Sequence, residues 1–224
     1  MGQQTHTAPE EMASFFDIRA DGYEDHMHDI FEGKLDEFYT RVASQIPKTA
    51  EVIRILDLGC GTGLELAPIF QKAPNAIITG IDMSAQMLER LQQKYAQYAA
   101  QLHLVQGSYV EVSLKQDEYD YAVSVMTIHH LLEDVKRDLY RKIRNALKDG
   151  GLYIEGDYVV DEGEEQRLMK EYHEKIQQID PDQLYHIDIP FTVSHQEHLF
   201  AEAGFSDVQT VYHVGNGAIF VARK

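Results

Sequence analysis

The 224-residue sequence has a single cysteine, Cys60, so no internal disulfide can form, and a reducing, cytoplasmic setting is expected. It has no apolar run near the ~20 residues that a membrane-spanning helix needs, so no membrane partner is expected. The opening stretch MGQQTHTAPEE lacks a basic patch ahead of an apolar segment, which argues against a signal peptide. It also lacks a Ser or Thr at the sixth residue, which argues against myristoylation. Basic residues are scarce, 20 against 37 acidic ones, for a net charge of −17. Such a chain repels polyanions, so nucleic acid is not an expected partner. The one dense basic segment, 135–148, carries Val135, Leu139, Ile143 and Leu147 at helical spacing, which leaves its basic residues on the solvent side. Eleven histidines occur without an H-E-x-x-H or Cys-His cluster, so no metal site is expected. Internal repeats and low-complexity tracts are absent too.

What is present is a 44% apolar chain with a regular alternation. The runs 52–59, 76–82, 101–108, 119–126 and 151–160 read as strands, with helix-like segments between them. That order predicts an α/β fold with a parallel sheet covered on both faces. Near the end, SHQEHLFAEAGF has a capping-box pattern at Ser194 and Glu197, with Gly204 at the helix stop. Two strands follow, 207–214 and 217–224, and the two-residue link between them forces an antiparallel hairpin. Residues 1–50 read as a helical segment ahead of the main domain, 51–224, with Leu35, Phe38, Val42 and Ile46 on one face. Residues 161–190 read as a helical insertion with Leu168, Tyr172, Ile176 and Ile179 in a stripe, followed by a loop. Both stripes predict helix-to-sheet packing. Both segments also adjoin the strand ends where open α/β sheets bind ligands, so a lid role is expected as well.

The stretch ILDLGCGTGLEL (55–66) places Gly59, Gly61 and Gly63 directly after a strand. Without Cβ atoms the chain can turn sharply and approach a ligand. Asp82 ends the next strand, where a carboxylate can bond both ribose hydroxyls of a nucleoside ligand. A dinucleotide fingerprint would need glycine where Leu64 stands, and no G-x-x-x-x-G-K-[ST] loop is present.

With G-x-G-x-G spacing and an acid two residues ahead, LDLGCGTG resembles motif I of the class I S-adenosylmethionine-dependent methyltransferases. GIDMS (80–84), YDYAVSVMTIHHL (119–131) and LKDGGLYIEGD (147–157) are similar to that family's later motifs, and FFDIRADGYEDHM (15–27) to its N-terminal lid. The resemblance implies a Rossmann-like, doubly wound, mostly parallel seven-stranded sheet with a C-terminal antiparallel hairpin. It implies S-adenosyl-L-methionine as cofactor, held at Asp57, Gly59, Cys60, Gly61 and Gly63. Asp82 would take the ribose and Met83 the adenine face. Gly107 and Ser108 would sit at the adenine, where many members have Gly-Asp. Val125 would end the strand beside the methionine part, with Tyr23 over the cofactor. Pro68, inside the helix after motif I, must sit in its first turn or kink it.

Methyl transfer from a sulfonium needs alignment of the nucleophile and a dry site rather than a dedicated catalytic residue. A base is needed only where the nucleophile carries a proton. His130 is the candidate base, with His129, Asp157, Tyr158, Tyr185 and His186 as further polar groups; the two adjacent histidines can equally cap the next helix. The expected function is methyl transfer to a small-molecule acceptor by a monomer or homodimer. The C-terminal part also resembles the tRNA wobble-uridine carboxymethyltransferases, but a carboxylated cofactor would want an arginine, and none lies between Arg167 and Arg223. A non-catalytic nucleoside-binding module is the third reading.

Overall fold

Five of the apolar runs form parallel strands: β1 (Arg54–Leu58), β2 (Ile77–Asp82), β3 (Leu102–Gln106), β4 (Tyr119–Val125) and β5 (Leu147–Tyr158). The computed structural model describes residues 10–31, 33–177 and 184–224. Two further strands, β6 (Ser206–Val214) and β7 (Gly217–Arg223), complete a seven-stranded sheet of order β3-β2-β1-β4-β5-β7-β6. β7 runs antiparallel to both β5 and β6. The two-residue link bends at Gly215, whose φ of +57° suits glycine. Parallel strands all end at one edge, and the hairpin tip reaches the same edge because Gly217 pairs with Tyr158.

Helices cover both faces, and the apolar residues divide into two buried clusters, one on each side of the sheet. The first-fifty stripe lies on α3 (Leu35–Ser44), following α1 (Met12–Arg19) and α2 (Tyr23–Ile30). Leu35, Phe38, Val42 and Ile46 are all buried, each stabilising the fold by about 1.5–3 kcal/mol. A Cβ on Gly156 of β5 would come within 2.9 Å of Val42, so α3 presses directly on the sheet. α3 is therefore core, and α1 and α2 remain as the segments able to act as a lid.

α4 (Leu66–Lys72) starts three residues after the last motif glycine, and Pro68 sits in its first turn, where a missing N–H costs nothing. α5 (Ala85–Lys94) is capped by Ser84, whose Oγ accepts from Met87 N at 3.1 Å. α6 (Glu133–Ala146) buries Leu139 and Ile143 as its spacing predicts, but it also buries Lys136 over the Phe191 ring, against the expectation that its basic residues face solvent. α7 (Glu162–Ile176) buries no residue fully, and Tyr172 packs only partly on the core. Ile179 of that stripe, and residues 180–183 of the loop after it, lie outside the described residues.

α8 (Val193–Glu202) departs from expectation at its start. Its cap is Thr192, whose Oγ1 accepts from His195 N at 3.1 Å, not Ser194. Glu197 does not reach back to the helix start; it accepts instead from the Thr210 hydroxyl of β6 at 2.6 Å. A tertiary partner outcompetes the local capping box. Gly204, at φ +89°, ends the helix as predicted.

Candidate active site

The strand ends at the common edge begin with the glycine turn. Gly59, Gly61 and Gly63 all take left-handed φ, at +67°, +46° and +74°. At Gly59 a Cβ would lie 2.4 Å from Thr127 Oγ1, so the strand ends are packed too closely for any side chain. At Gly61 a Cβ would meet only the Tyr23 ring, at 4.0 Å, so this glycine faces a cleft covered by α2. Asp82 organises the turn. Its Oδ2 accepts from Gly61 N and its Oδ1 from Ser84 N, both at 2.8 Å. Burial raises its carboxyl above the usual range, and the two N–H groups offset part of that.

Asp57 and Glu65 form a buried carboxyl pair at the base of the turn. Asp57 is raised well above normal by burial and by the nearby Glu65. Glu65 is pushed up to about 7 by burial, partly offset by its bond to Asp57. Asp57 Oδ2, Thr62 Oγ1 and Glu65 Oε1 are buried without a hydrogen-bond partner. These buried acceptors flank the glycine turn in sequence, and a positively charged donor would satisfy the Asp57–Glu65 pair better than the single proton it otherwise shares.

The remaining candidates divide. Cys60 turns its thiol into the core against Gly80, so only its backbone serves the turn, its carbonyl accepting from Gly63 N at 2.8 Å. Gly107 N donates to Asp82 O at 2.9 Å, which ties the end of β3 to the same edge. Ser108 is buried, and its Oγ accepts from Val110 N at 3.3 Å in a local turn. Met83 is half-buried next to Asp82, and Val125 is buried at the end of β4. Tyr23 packs edge-on to Phe16, and burial raises its hydroxyl well above normal.

Beyond β4 and β5 the edge opens into a cavity of about 1080 Å³. α1 and α2, the hairpin tip and the segment before α8 enclose it. Phe16, Phe31, Phe38 and Tyr212 give it apolar walls, and Met126 stands at its floor with φ +53°. A non-glycine residue in that region costs on the order of 1–2 kcal/mol, and such strain gathers at functional sites.

The polar wall consists of His129, His130, Asp188, His186 and Tyr158. Both adjacent histidines are buried. The carboxylate partner goes to His129: its Nδ1 lies 2.5 Å from Asp157 Oδ1, and its backbone N donates to Asp157 Oδ2 at 2.9 Å. Burial pulls His129 down, but the Asp157 charge and hydrogen bond override it and hold the imidazole above its usual value. His130 is lowered by burial and by His129, and its Nδ1 lies 3.2 Å from Asp188 Oδ1. His186, lowered to about 4 by burial, stacks on Phe15 at 3.6 Å. Tyr185 forms an isolated bridge with Glu11, so it latches the start of α1 rather than lining the cavity.

Sequence reasoning missed Glu65, Met126 and Asp188. Glu65 had a signal, an acid two residues past the last motif glycine. Asp188 had none, because it reaches the histidines from an unpatterned loop.

A family model described as a methyltransferase domain matches residues 55–151. The chain is 29% identical over 187 residues to a carboxy-S-adenosyl-L-methionine synthase of Wolinella succinogenes, covering 76% of this chain and 75% of that one. It is 26% identical over 196 residues to the protein of that name from Campylobacter concisus, covering 82% and 81%. Among solved structures, DhpI in complex with SAH superposes with a TM-score of 0.69 at 14% identity, covering 94% of each chain, a likeness of fold.

Proposed function

We propose that this chain is a class I S-adenosylmethionine-dependent methyltransferase, and that it transfers the methyl group of S-adenosylmethionine to a small molecule bound in the cavity beyond β4 and β5. The residues fit that cofactor. Asp82 keeps lone pairs for the ribose, and the orphaned oxygens of Asp57, Thr62 and Glu65 match the ammonium of its methionine part. S-adenosylmethionine supplies a methyl group already electrophilic on its sulfonium. The chain's own residues bind, orient and exclude water: the glycine turn by backbone, Tyr23 and Phe16 from above, Val125 and Met126 from below. His129, fixed by Asp157, is the polar group that meets the acceptor.

The observation that carries this reading is the cavity itself. It is roofed by the chain's own first two helices and walled by aromatics and imidazoles, on the scale of small-molecule sites. The basic face of α6 is not a competing nucleic-acid surface. Arg137 pairs with Glu133 and Glu202, Arg141 with Asp138, and Arg144 donates to Gly204 O. With methyl-labelled cofactor, a panel of small acceptors and unmodified tRNA, label is expected in the small-molecule fraction. No salt-sensitive tRNA binding is expected in an anisotropy titration. Label in tRNA, with micromolar binding that collapses as salt rises, would replace this reading.

A second reading comes from the relatives from Wolinella and Campylobacter, whose name describes carboxylation of the cofactor itself. Among the described residues Arg19 and Lys34 are the Arg and Lys side chains lining the cavity, and Arg19 is already paired with Glu10. Mass spectrometry of the cofactor after incubation with carboxylic-acid donors and with small acceptors decides it: a carboxylated cofactor supports the second reading, and S-adenosylhomocysteine with a methylated acceptor the first.

The roof is built to reopen. Asp17 holds Ser84 Oγ at 2.5 Å, Glu24 holds Lys94 at 2.8 Å, and Asp21 pairs with Arg90. These are polar latches, while Ile18 and Ile30 stay exposed. S-adenosylhomocysteine should slow amide exchange across α1 and α2 and leave α3 unchanged. Tyr23→Ala should weaken its binding by up to about tenfold, with little change in melting temperature. Equal exchange with and without ligand would show that the roof is fixed.

A further inference from the structure

His129 Nε2, His130 Nδ1 and an Asp188 oxygen converge on one point of the cavity wall, their ligand atoms all within 4.8 Å of one another. Asp188 Oδ1 lies 3.2 Å from His130 Nδ1 and 3.7 Å from His129 Nε2. Those separations bracket the edge of a tetrahedron around an ion with ligands at ~2.1 Å, about 3.4 Å. The arrangement is also prepared from behind. Asp157 takes the Nδ1 proton of His129, which leaves the Nε2 lone pair facing the Asp188 carboxylate. An ion placed between the Nε2 lone pair and the Asp188 carboxylate is coordinated by both. A carboxylate holding the far nitrogen of a histidine is the support that metal-bound imidazoles carry. Asp157 and Asp188 together bring two negative charges, enough to balance a divalent ion. His129 and His130 are buried and hold their geometry, while the Asp188 side chain is 45% exposed and gives an entry path.

We infer that His129, His130 and Asp188 bind one divalent first-row transition-metal ion at the wall of the acceptor cavity. Two imidazoles and one carboxylate suit zinc or ferrous iron and leave coordination positions open. All three residues line the cavity, so the open positions face the acceptor. The ion's role rests on the methyl-transfer reading: it would hold the acceptor's oxygen and lower its pKa, in place of proton removal by a histidine base. The acceptor O–H then breaks with its proton passing to cavity water. The oxygen forms the new bond to the methyl carbon, and sulfur keeps the pair from the broken C–S bond. Acceptors with two adjacent oxygen donors are the class this site would take.

The test uses chelator-treated full-length protein titrated with Co²⁺ and followed by its visible absorption, with Zn²⁺ as competitor. S-adenosylhomocysteine binding is measured on the same preparations. One saturating equivalent per chain, displaced by Zn²⁺, is expected. Asp188→Asn and His130→Gln should each weaken it at least about tenfold, and Asp157→Asn by about 10–100-fold through His129. Melting temperatures identify any variant that fails to fold, and the two ligand variants test the site independently. Absence of saturable Co²⁺ binding, or binding unmoved by Asp188→Asn and His130→Gln, overturns the inference. Adenosylhomocysteine binding without metal binding would remove the metal alone. Metal binding without adenosylhomocysteine binding would leave the metal site standing and sink the methyltransferase reading.

Discussion

Asp82→Ala is expected to weaken S-adenosylhomocysteine binding by on the order of a hundredfold while the protein still folds. The carboxylate ends β2 and would accept both ribose hydroxyls. Two hydrogen bonds to a charged acceptor are together worth about 3 kcal/mol or more, which is that factor in dissociation constant. The substitution also releases Gly61 N and Ser84 N, so the glycine turn loses its anchor to β2. Ser84 is fully buried, so its released amide is left unpaired and the stability cost should be about 1–3 kcal/mol, short of unfolding. Asp82→Asn keeps one acceptor oxygen for Ser84 or Gly61 and should fall between. Calorimetric titration of both variants, with melting curves, separates binding from folding. Unchanged affinity in Asp82→Ala would mean that the ribose lies elsewhere.

Legibility followed the range of the interaction. The glycine turn, Asp82, the strand alternation and the backward β7 were readable because each is set by a short stretch. Glycine spacing dictates φ, and a two-residue link dictates an antiparallel hairpin. The start of α8 was misread because Glu197 had a better partner, Thr210, on a strand that local pattern cannot see. The cavity wall was only half readable. His129 and His130 follow β4 in the chain, but the carboxylates that divide their roles come from β5 and from the loop before α8. Spacing rules for metal sites look for ligands on one helix or hairpin, so a set closed by a distant loop leaves no signature. Asp57 was readable as part of the glycine motif, but its pairing with Glu65, eight positions on, was not, because only the turn brings the two acids together.

That pair sets the second large effect, a pH dependence of cofactor binding. Without ligand, Asp57 and Glu65 face each other in a buried site and hold a proton, with Glu65 pushed up to about 7. A folded-state pKa above the unfolded value of 4.5 means that the folded chain binds the extra proton. The group's contribution to apo stability is therefore full below 4.5 and is lost as pH rises through about 7. Cofactor binding has the opposite sign. An ammonium favours the ionised pair, so binding below about 7 must expel the proton. Affinity for S-adenosylhomocysteine should then fall toward about tenfold per pH unit as pH drops from 7 to 5, since one proton is displaced, and level off above 8. Methylthioadenosine has the same nucleoside and no ammonium, so its affinity should stay nearly flat over that range. Titrations at several pH values, in buffers of different ionisation enthalpy, count the proton directly. A flat profile for adenosylhomocysteine, or an equal slope for methylthioadenosine, would show that Asp57 and Glu65 do not receive the ammonium. Asp57→Asn should remove the slope and lower affinity at pH 8, because the cradle then offers one charge in place of two.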